Sequence, residues 1–171
     1  MMRTTILAMA IVLVTTGAAA GSKKKASATL ASKSGSSVTG TATFTQHGKN
    51  VVMKISVSGL TPGSHAIHLH EKGDCSAADA TSAGGHWNPT TEAHGKWGNA
   101  PFHHGDIGNL VAGSNGKAHL QVTTPLWTIG DANPSDVVGH AVVVHEKVDD
   151  FTTQPTGNAG GRVACGVIQL D

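Results

Sequence analysis

Eleven histidines in a 171-residue chain are the residues best placed to do chemistry here. Neutral imidazole is the commonest side-chain metal ligand, and six of the eleven fall in patterns that could converge. His68-Leu69-His70 ends a segment that alternates as a strand does, so His68 and His70 share one face while Leu69 points to the other. Alone, such a pair is more often two surface histidines than half of a site. His86, His94 and His103 are spread through a glycine-rich stretch, where imidazoles can meet without helical spacing. Asp106 follows His103 by three positions, beside Gly105 and Gly108. Three imidazoles and a carboxylate form a closed tetrahedral set of the kind that suits zinc. His145 ends the apolar run Ala141–His145. By itself it reads more readily as a core histidine than as a ligand. Joined to His68, His70 and one shared histidine, it completes a nitrogen-only set whose tetragonal geometry suits copper. His47, His65, His104, His119 and His140 are left to surface or supporting roles.

Strands are the elements that must position these groups. Period-2 alternation and β-branched residues mark Val38–Gln46, Val51–Val57, Ser64–His70, Leu110–Ala112, Lys117–Val122, Ala141–His145 and Arg162–Gln169. A further strand is expected within Ala26–Ser32. His47-Gly48-Lys49-Asn50 and Asn115-Gly116 read as hairpin turns. About eight short strands separated by turns predict an all-β sandwich or barrel. Two stretches break the pattern. Glu71–Asn109 and Lys147–Gly161 are rich in Gly, Asn, Asp and Pro. Loops of such length in a compact domain are usually functional or disordered, and the first carries four histidines and a cysteine.

Composition excludes some classes of function. Lysine plus arginine number 12 against 11 acids, which leaves no basic footprint for nucleic acid. The N-terminus reads as a secretory signal peptide over residues 1–20: Arg3, an apolar run Ile6–Val14, then Ala18-Ala19-Ala20 before Gly21. That run is too short to span a bilayer, which takes ~20 residues. Residues 21–37 are expected to hold a linker and the first strand, and residues 38–171 the working domain. Export gives meaning to the two cysteines, Cys75 and Cys165, because an oxidising compartment favours joining them. Two buried free thiols are the alternative. Arg162 is the only arginine after Arg3, and a fixed guanidinium near a metal would attract and orient a small anion.

The combined motifs resemble one family. His68-Leu69-His70, Gly84-Gly85-His86-Trp87-Asn88-Pro89, His103-His104-Gly105-Asp106-Ile107-Gly108-Asn109, Val144-His145-Glu146-Lys147 and Gly157-Asn158-Ala159-Gly160-Gly161-Arg162-Val163-Ala164-Cys165-Gly166 are similar, in order and spacing, to copper/zinc superoxide dismutases of the bacterial periplasmic type. The resemblance implies an eight-stranded Greek-key β-barrel with two long functional loops. It implies one copper on His68, His70, His86 and His145, and one zinc on His86, His94, His103 and Asp106, with His86 bridging both. It gives Asp149 the role of joining His68 to His94 by hydrogen bonds, Cys75 and Cys165 a disulfide, and Arg162 and Thr156 opposite sides of the channel mouth. The implied substrate is superoxide, with Arg162 and His86 taking part in its conversion to oxygen and hydrogen peroxide. The expected setting is periplasmic or secreted, with a homodimer as one permitted assembly.

The chain departs from the animal members of that family in two places. Cys75 follows His70 by five positions, and Phe151-Thr152-Thr153-Gln154-Pro155 replaces the charged residues that shape the field there. Two rivals share the motifs in part. A copper-delivery protein on the same scaffold differs by failing to consume superoxide when loaded. A zinc-stabilised adhesion sandwich would use only His86, His94, His103 and Asp106.

Overall fold

The computed structural model describes residues 23–171, so the signal-peptide expectation lies outside the described residues. Among the described residues, nine strands and one short 3-10 turn make up the regular structure. They are β1 (Lys25–Ser32), β2 (Thr39–His47), β3 (Asn50–Ser58), β4 (Gly63–His70), β5 (Gly108–Ala112), β6 (Ala118–Thr124), β7 (Ala141–His145), β8 (Arg162–Val167) and β9 (Gln169–Leu170). The expected strands recur to within a few residues at each end, and the folded unit already starts at Lys25, ahead of Val38. Arg162–Gln169 divides in two at Ile168, whose N–H turns to His140 O at 2.9 Å. The pair order β5-β4-β7-β8-β1-β2-β3-β6 is antiparallel throughout. It describes a nearly closed, eight-stranded Greek-key barrel, with β9 appended to β1. No helix among the described residues is long and apolar enough to cross a membrane.

Alternation explains half of the barrel. In β1, β2 and β3 every second residue is buried: Ala26, Ala28 and Leu30; Ala42 and Phe44; Val51, Met53, Ile55 and Val57. Their neighbours, including Thr41, Thr43, Lys54 and Ser56, face water. The other half is buried on both faces. All five residues of β7 and the last six of β4 are buried, which is the signature of a sheet covered on each side. Ile67, Leu69, Val142 and Val144 enter the main core. Ala141, Val143 and Cys165 face outward and pack with Ala80 and Ala83 of the long loop. That outward face, roofed by loop, is where the chemistry-bearing residues lie.

Candidate metal centre

Strand register brings the outward residues into rows. His68 stands opposite Val143, and His70 opposite Ala141. Val143 in turn faces Cys165. Simple alternation back from Cys165 would turn Arg162 toward the barrel core. A bulge prevents this: Val144 pairs with Ala164, yet His145 pairs with Arg162. The extra residue, Val163, packs against the main core. Directly opposed residues on antiparallel strands share a face, so the bulge brings Arg162 out beside His145. Bulges commonly re-aim side chains in this way.

The long loop returns across this face to deliver the remaining groups. A bridge links His70 to His86, and Trp87 N donates to Leu69 O at 2.8 Å. Leu69 N donates to Gly105 O at 2.9 Å. Gly105 must be glycine, since a Cβ there would lie 2.3 Å from Leu69 O.

The structure gathers two sets of four buried residues: His68, His70, His86 and His145; and His86, His94, His103 and Asp106. Within each set the candidate ligand atoms lie within 4.8 Å of one another. Hydrogen bonds fix the tautomers in the first set. Carbonyls and carboxylates only accept, so His70 donates Nδ1–H to Gly84 O at 2.9 Å, His145 donates Nδ1–H to Gly160 O at 3.5 Å, and His68 donates Nε2–H to Asp149 Oδ2 at 2.8 Å. That leaves lone pairs on His70 Nε2, His145 Nε2 and His68 Nδ1. The first two face each other at 3.4 Å, and His68 Nδ1 and His86 Nε2 are buried without a protein partner. Converging lone pairs with no donor between them fit a soft or borderline cation that accepts imidazole.

The second set fits a smaller closed site. Asp106 Oδ2 accepts the N–H groups of His103 (2.8 Å) and Gly95 (3.1 Å), which locks the carboxylate. Its Oδ1 then faces the Nδ1 atoms of His86 at 2.8 Å, His94 at 3.0 Å and His103 at 3.1 Å. His94 gives Nε2–H to Asp149 Oδ1 at 2.9 Å, so in its neutral form Nδ1 is a lone pair aimed at a carboxylate oxygen. A proton on His94 or a divalent cation between the two atoms resolves that repulsion. Bonds of ~2.0 Å in a tetrahedron set ligand atoms about 3.3 Å apart, close to these spacings.

The electrostatics follow from burial and these partners. Burial, reinforced by neighbouring histidines, holds His70 and His145 well below the usual imidazole range. Burial likewise lowers His86 to about 4, against the pull of Asp106. His94 goes the other way. Burial opposes its charge, but bonds to Asp106 and Asp149 raise it to about 9. Asp106 and Asp149 are pushed below the ordinary carboxylate range despite burial, because their histidine partners favour the anion.

Asp149 spans both sets, with one oxygen on His68 and the other on His94. Gly157 leaves it room, for a Cβ there would stand 1.8 Å from Asp149 Oδ1, and its φ of +66° suits glycine. Thr156 lies half-buried in the same loop. Arg162, also half-buried, donates Nη1–H to Ala80 O and Nη2–H to Gly84 O, both at 2.7 Å. Gly84 O therefore serves Arg162 and His70 together. Cys75 and Cys165 are joined, with Cα atoms 5.8 Å apart, and free cysteines are absent.

Several contributors had no signal in the sequence. The carbonyls of Ala80, Gly84 and Gly160 hold side chains of the site, and backbone is silent in a residue pattern. Asn109 pairs its amide with the backbone of Asp149, at 2.8 and 3.0 Å. His65, left to a surface or supporting role, is buried, with Nδ1 3.1 Å from His145 O and Nε2 2.9 Å from Thr61 O. Lys33 donates to the carbonyls of Cys75 and Ala77, tying the disulfide loop to the end of β1.

Comparison with known proteins agrees with the geometry. The family model for copper/zinc superoxide dismutase matches residues 38–168. A superoxide dismutase [Cu-Zn] of Caulobacter vibrioides is 42% identical over 135 residues, which span 76% of this chain and 78% of that one. An extracellular superoxide dismutase [Cu-Zn] of Onchocerca volvulus is 44% identical over 124 residues, 67% of this chain and 60% of the relative. The crystal structure of the clock protein EA4 superposes with a TM-score of 0.78 at 37% identity, covering 87% of this chain and 96% of that chain. A model match over nearly the whole described chain, with both four-residue sets in place, means that the chain belongs to the copper/zinc superoxide dismutase family.

Proposed function

We propose that the chain works as an exported superoxide dismutase in which His68, His70, His86 and His145 hold one copper and His86, His94, His103 and Asp106 hold one zinc. The observation that carries the reading is the double membership of His86. Its Nδ1 faces Asp106 Oδ1 while its Nε2 faces the other set without a protein partner. One imidazole between two ligand sets is what two adjacent cations require.

Copper would supply the one-electron steps by which one superoxide is oxidised to oxygen and a second, with two protons, is reduced to hydrogen peroxide. The protein's residues do the rest. Arg162, steadied by Ala80 O and Gly84 O, keeps a positive charge beside His145 and orients the substrate anion. His86 Nε2 is the atom placed to take up a proton and return it, while Nδ1 stays committed to the Asp106 side. Asp149 orients His68 and His94 through opposite oxygens, and such partners fix the tautomer and raise the basicity of a ligand histidine. Thr156 is assigned to the wall of the channel opposite Arg162.

Periplasmic or extracellular placement is part of the same proposal. It is supported by the Cys75–Cys165 bond, by the leader-like N-terminus and by relatives that include a bacterial and an extracellular protein. Pairing of two chains is proposed from the family alone, and light scattering on the mature protein decides it. The central test is metal content of protein from the exported fraction, then superoxide consumption with and without chelator. One copper and one zinc per chain, with activity lost on chelation, is the expected result. Zinc alone, or copper without superoxide consumption, overturns the reading.

A further inference from the structure

We propose that Gln154 is a positioning residue that clamps the backbone of His94 and thereby sets how long the zinc site keeps its metal. The inference rests on the assignment of His94 to zinc made above. Gln154 Oε1 accepts the His94 N–H at 2.9 Å, and Gln154 Nε2 donates to His94 O at 2.8 Å. A carboxamide carries one donor edge and one acceptor edge in a fixed plane, so it can pair with a peptide unit much as a neighbouring strand would. His94 lies in loop and has no strand partner. The glutamine supplies one from 60 positions away in sequence.

The arrangement around Gln154 is prepared for this. The Asp150 carboxylate accepts the N–H groups of Thr152 (3.0 Å) and Thr153 (2.8 Å) and the hydroxyl of Thr153 (2.6 Å). Gly157 N closes the turn onto Thr153 O at 2.6 Å, and Asp150 N onto Gly157 O at 3.0 Å. This closed turn carries Gln154 toward the loop that bears His94. The ring of His94 is meanwhile held through Nε2 by Asp149. Asp149 fixes where the ring points, and Gln154 fixes where the backbone that carries it stands. The stretch Phe151–Pro155, which lacks the charges expected of a steering loop, thus acquires a role in holding a ligand. Partners of metal-ligating groups typically change metal affinity about 10–100-fold. Gln154 acts through the His94 backbone and is itself exposed, so the expected effect is near the lower end.

The experiment compares the metal-replete full mature protein with Gln154→Ala and with the isosteric Gln154→Glu. Zinc transfer to a chromogenic chelator is timed, and copper content and the thermal midpoint of the metal-free proteins are recorded. Zinc release should quicken about tenfold in both variants, with copper content and the metal-free midpoint unchanged. Gln154→Glu keeps the acceptor for His94 N–H but sets an oxygen against His94 O, so hydrogen exchange at the His94 amide should rise less than in Gln154→Ala. Release within about twofold of the parent in both variants overturns the proposal. So does a metal-free midpoint that falls in step with zinc loss, because Gln154 would then be a general brace. A parent protein that binds no zinc overturns the metal assignment itself, an outcome distinct from either.

Discussion

The two halves of the metal centre are built on opposite plans. Three of the four residues assigned to copper, His68, His70 and His145, stand buried on the paired strands β4 and β7. Each has its second ring nitrogen tied to a carbonyl or to Asp149. Strand backbone and these hydrogen bonds position the three rings without help from the zinc set's loop ligands. His94, His103 and Asp106 all lie in the loop between β4 and β5. Their arrangement depends on the Asp106 carboxylate, on Asp149 and on side chains such as Gln154. The copper set is thus organised by the fold, whereas the zinc set organises its own loop. Where ligands depend on each other, metal binding free energy becomes folding free energy for that segment.

The largest effects test this contrast directly. His145→Ala should lower copper occupancy and superoxide consumption to near background, with zinc content and resistance to protease unchanged. Asp106→Ala should lose zinc first, and limited proteolysis should then cut between His86 and Asn109, because structural zinc contributes to order outright. Metal analysis and proteolysis on both variants separate the two plans. A His145→Ala protein whose long loop is cut as readily as that of Asp106→Ala would show that the strands do not hold their half independently.

Reduction of the Cys75–Cys165 bond sharpens the same contrast at an intermediate size. The bond spans 90 positions and anchors the long loop to β8. Its loss should lower stability by about 2–5 kcal/mol, read as a shift in denaturant midpoint with and without reductant. Activity should weaken too, because Ala80 and Gly84 of that loop hold Arg162. Lys33 keeps a second hold on the loop through the carbonyls of Cys75 and Ala77, so zinc content should fall less than in Asp106→Ala. Two free thiols in the mass of the native exported protein would contradict the bond before any stability measurement.

What the sequence disclosed follows the same division. Alternation located the strands and placed His68 and His70 on one face, since a pleated strand leaves a period of two. The apolar run at β7 was ambiguous for a physical reason: burial on both faces erases the period, so periodicity by itself could not tell His145 from a core histidine, and only its combination with the other histidines and the family motifs made it a ligand. The zinc set was legible as residue types but not as geometry, because loop spacing sets no direction. The bulge at Val163 left no mark, and alternation alone would have turned Arg162 inward. Gln154 was legible only as an uncharged residue, because its partner is a backbone.

The smallest effect concerns Arg162, where strand and loop meet. Its position comes from β8 and the bulge, but its guanidinium is steadied by two loop carbonyls. Arg162→Ala removes a positive charge beside His145 and should lower the second-order rate with superoxide about tenfold or more, within the 10–10³ range for focused fields. Metal content should not change, because His70 keeps its own bond to Gly84 O. Arg162→Lys should recover part of the rate. A lysine restores the charge, but its ammonium lacks the planar fork that reaches Ala80 O and Gly84 O together. Pulse radiolysis of metal-replete proteins at several ionic strengths provides the measurement, since anion capture by an exposed field weakens with salt. The parent should show the steepest salt dependence and Arg162→Ala the shallowest. If the two match in rate and in slope, the guide for the anion is not Arg162. The field must then come from the metals or from Lys72 and Lys147, which lie near the ligands in sequence.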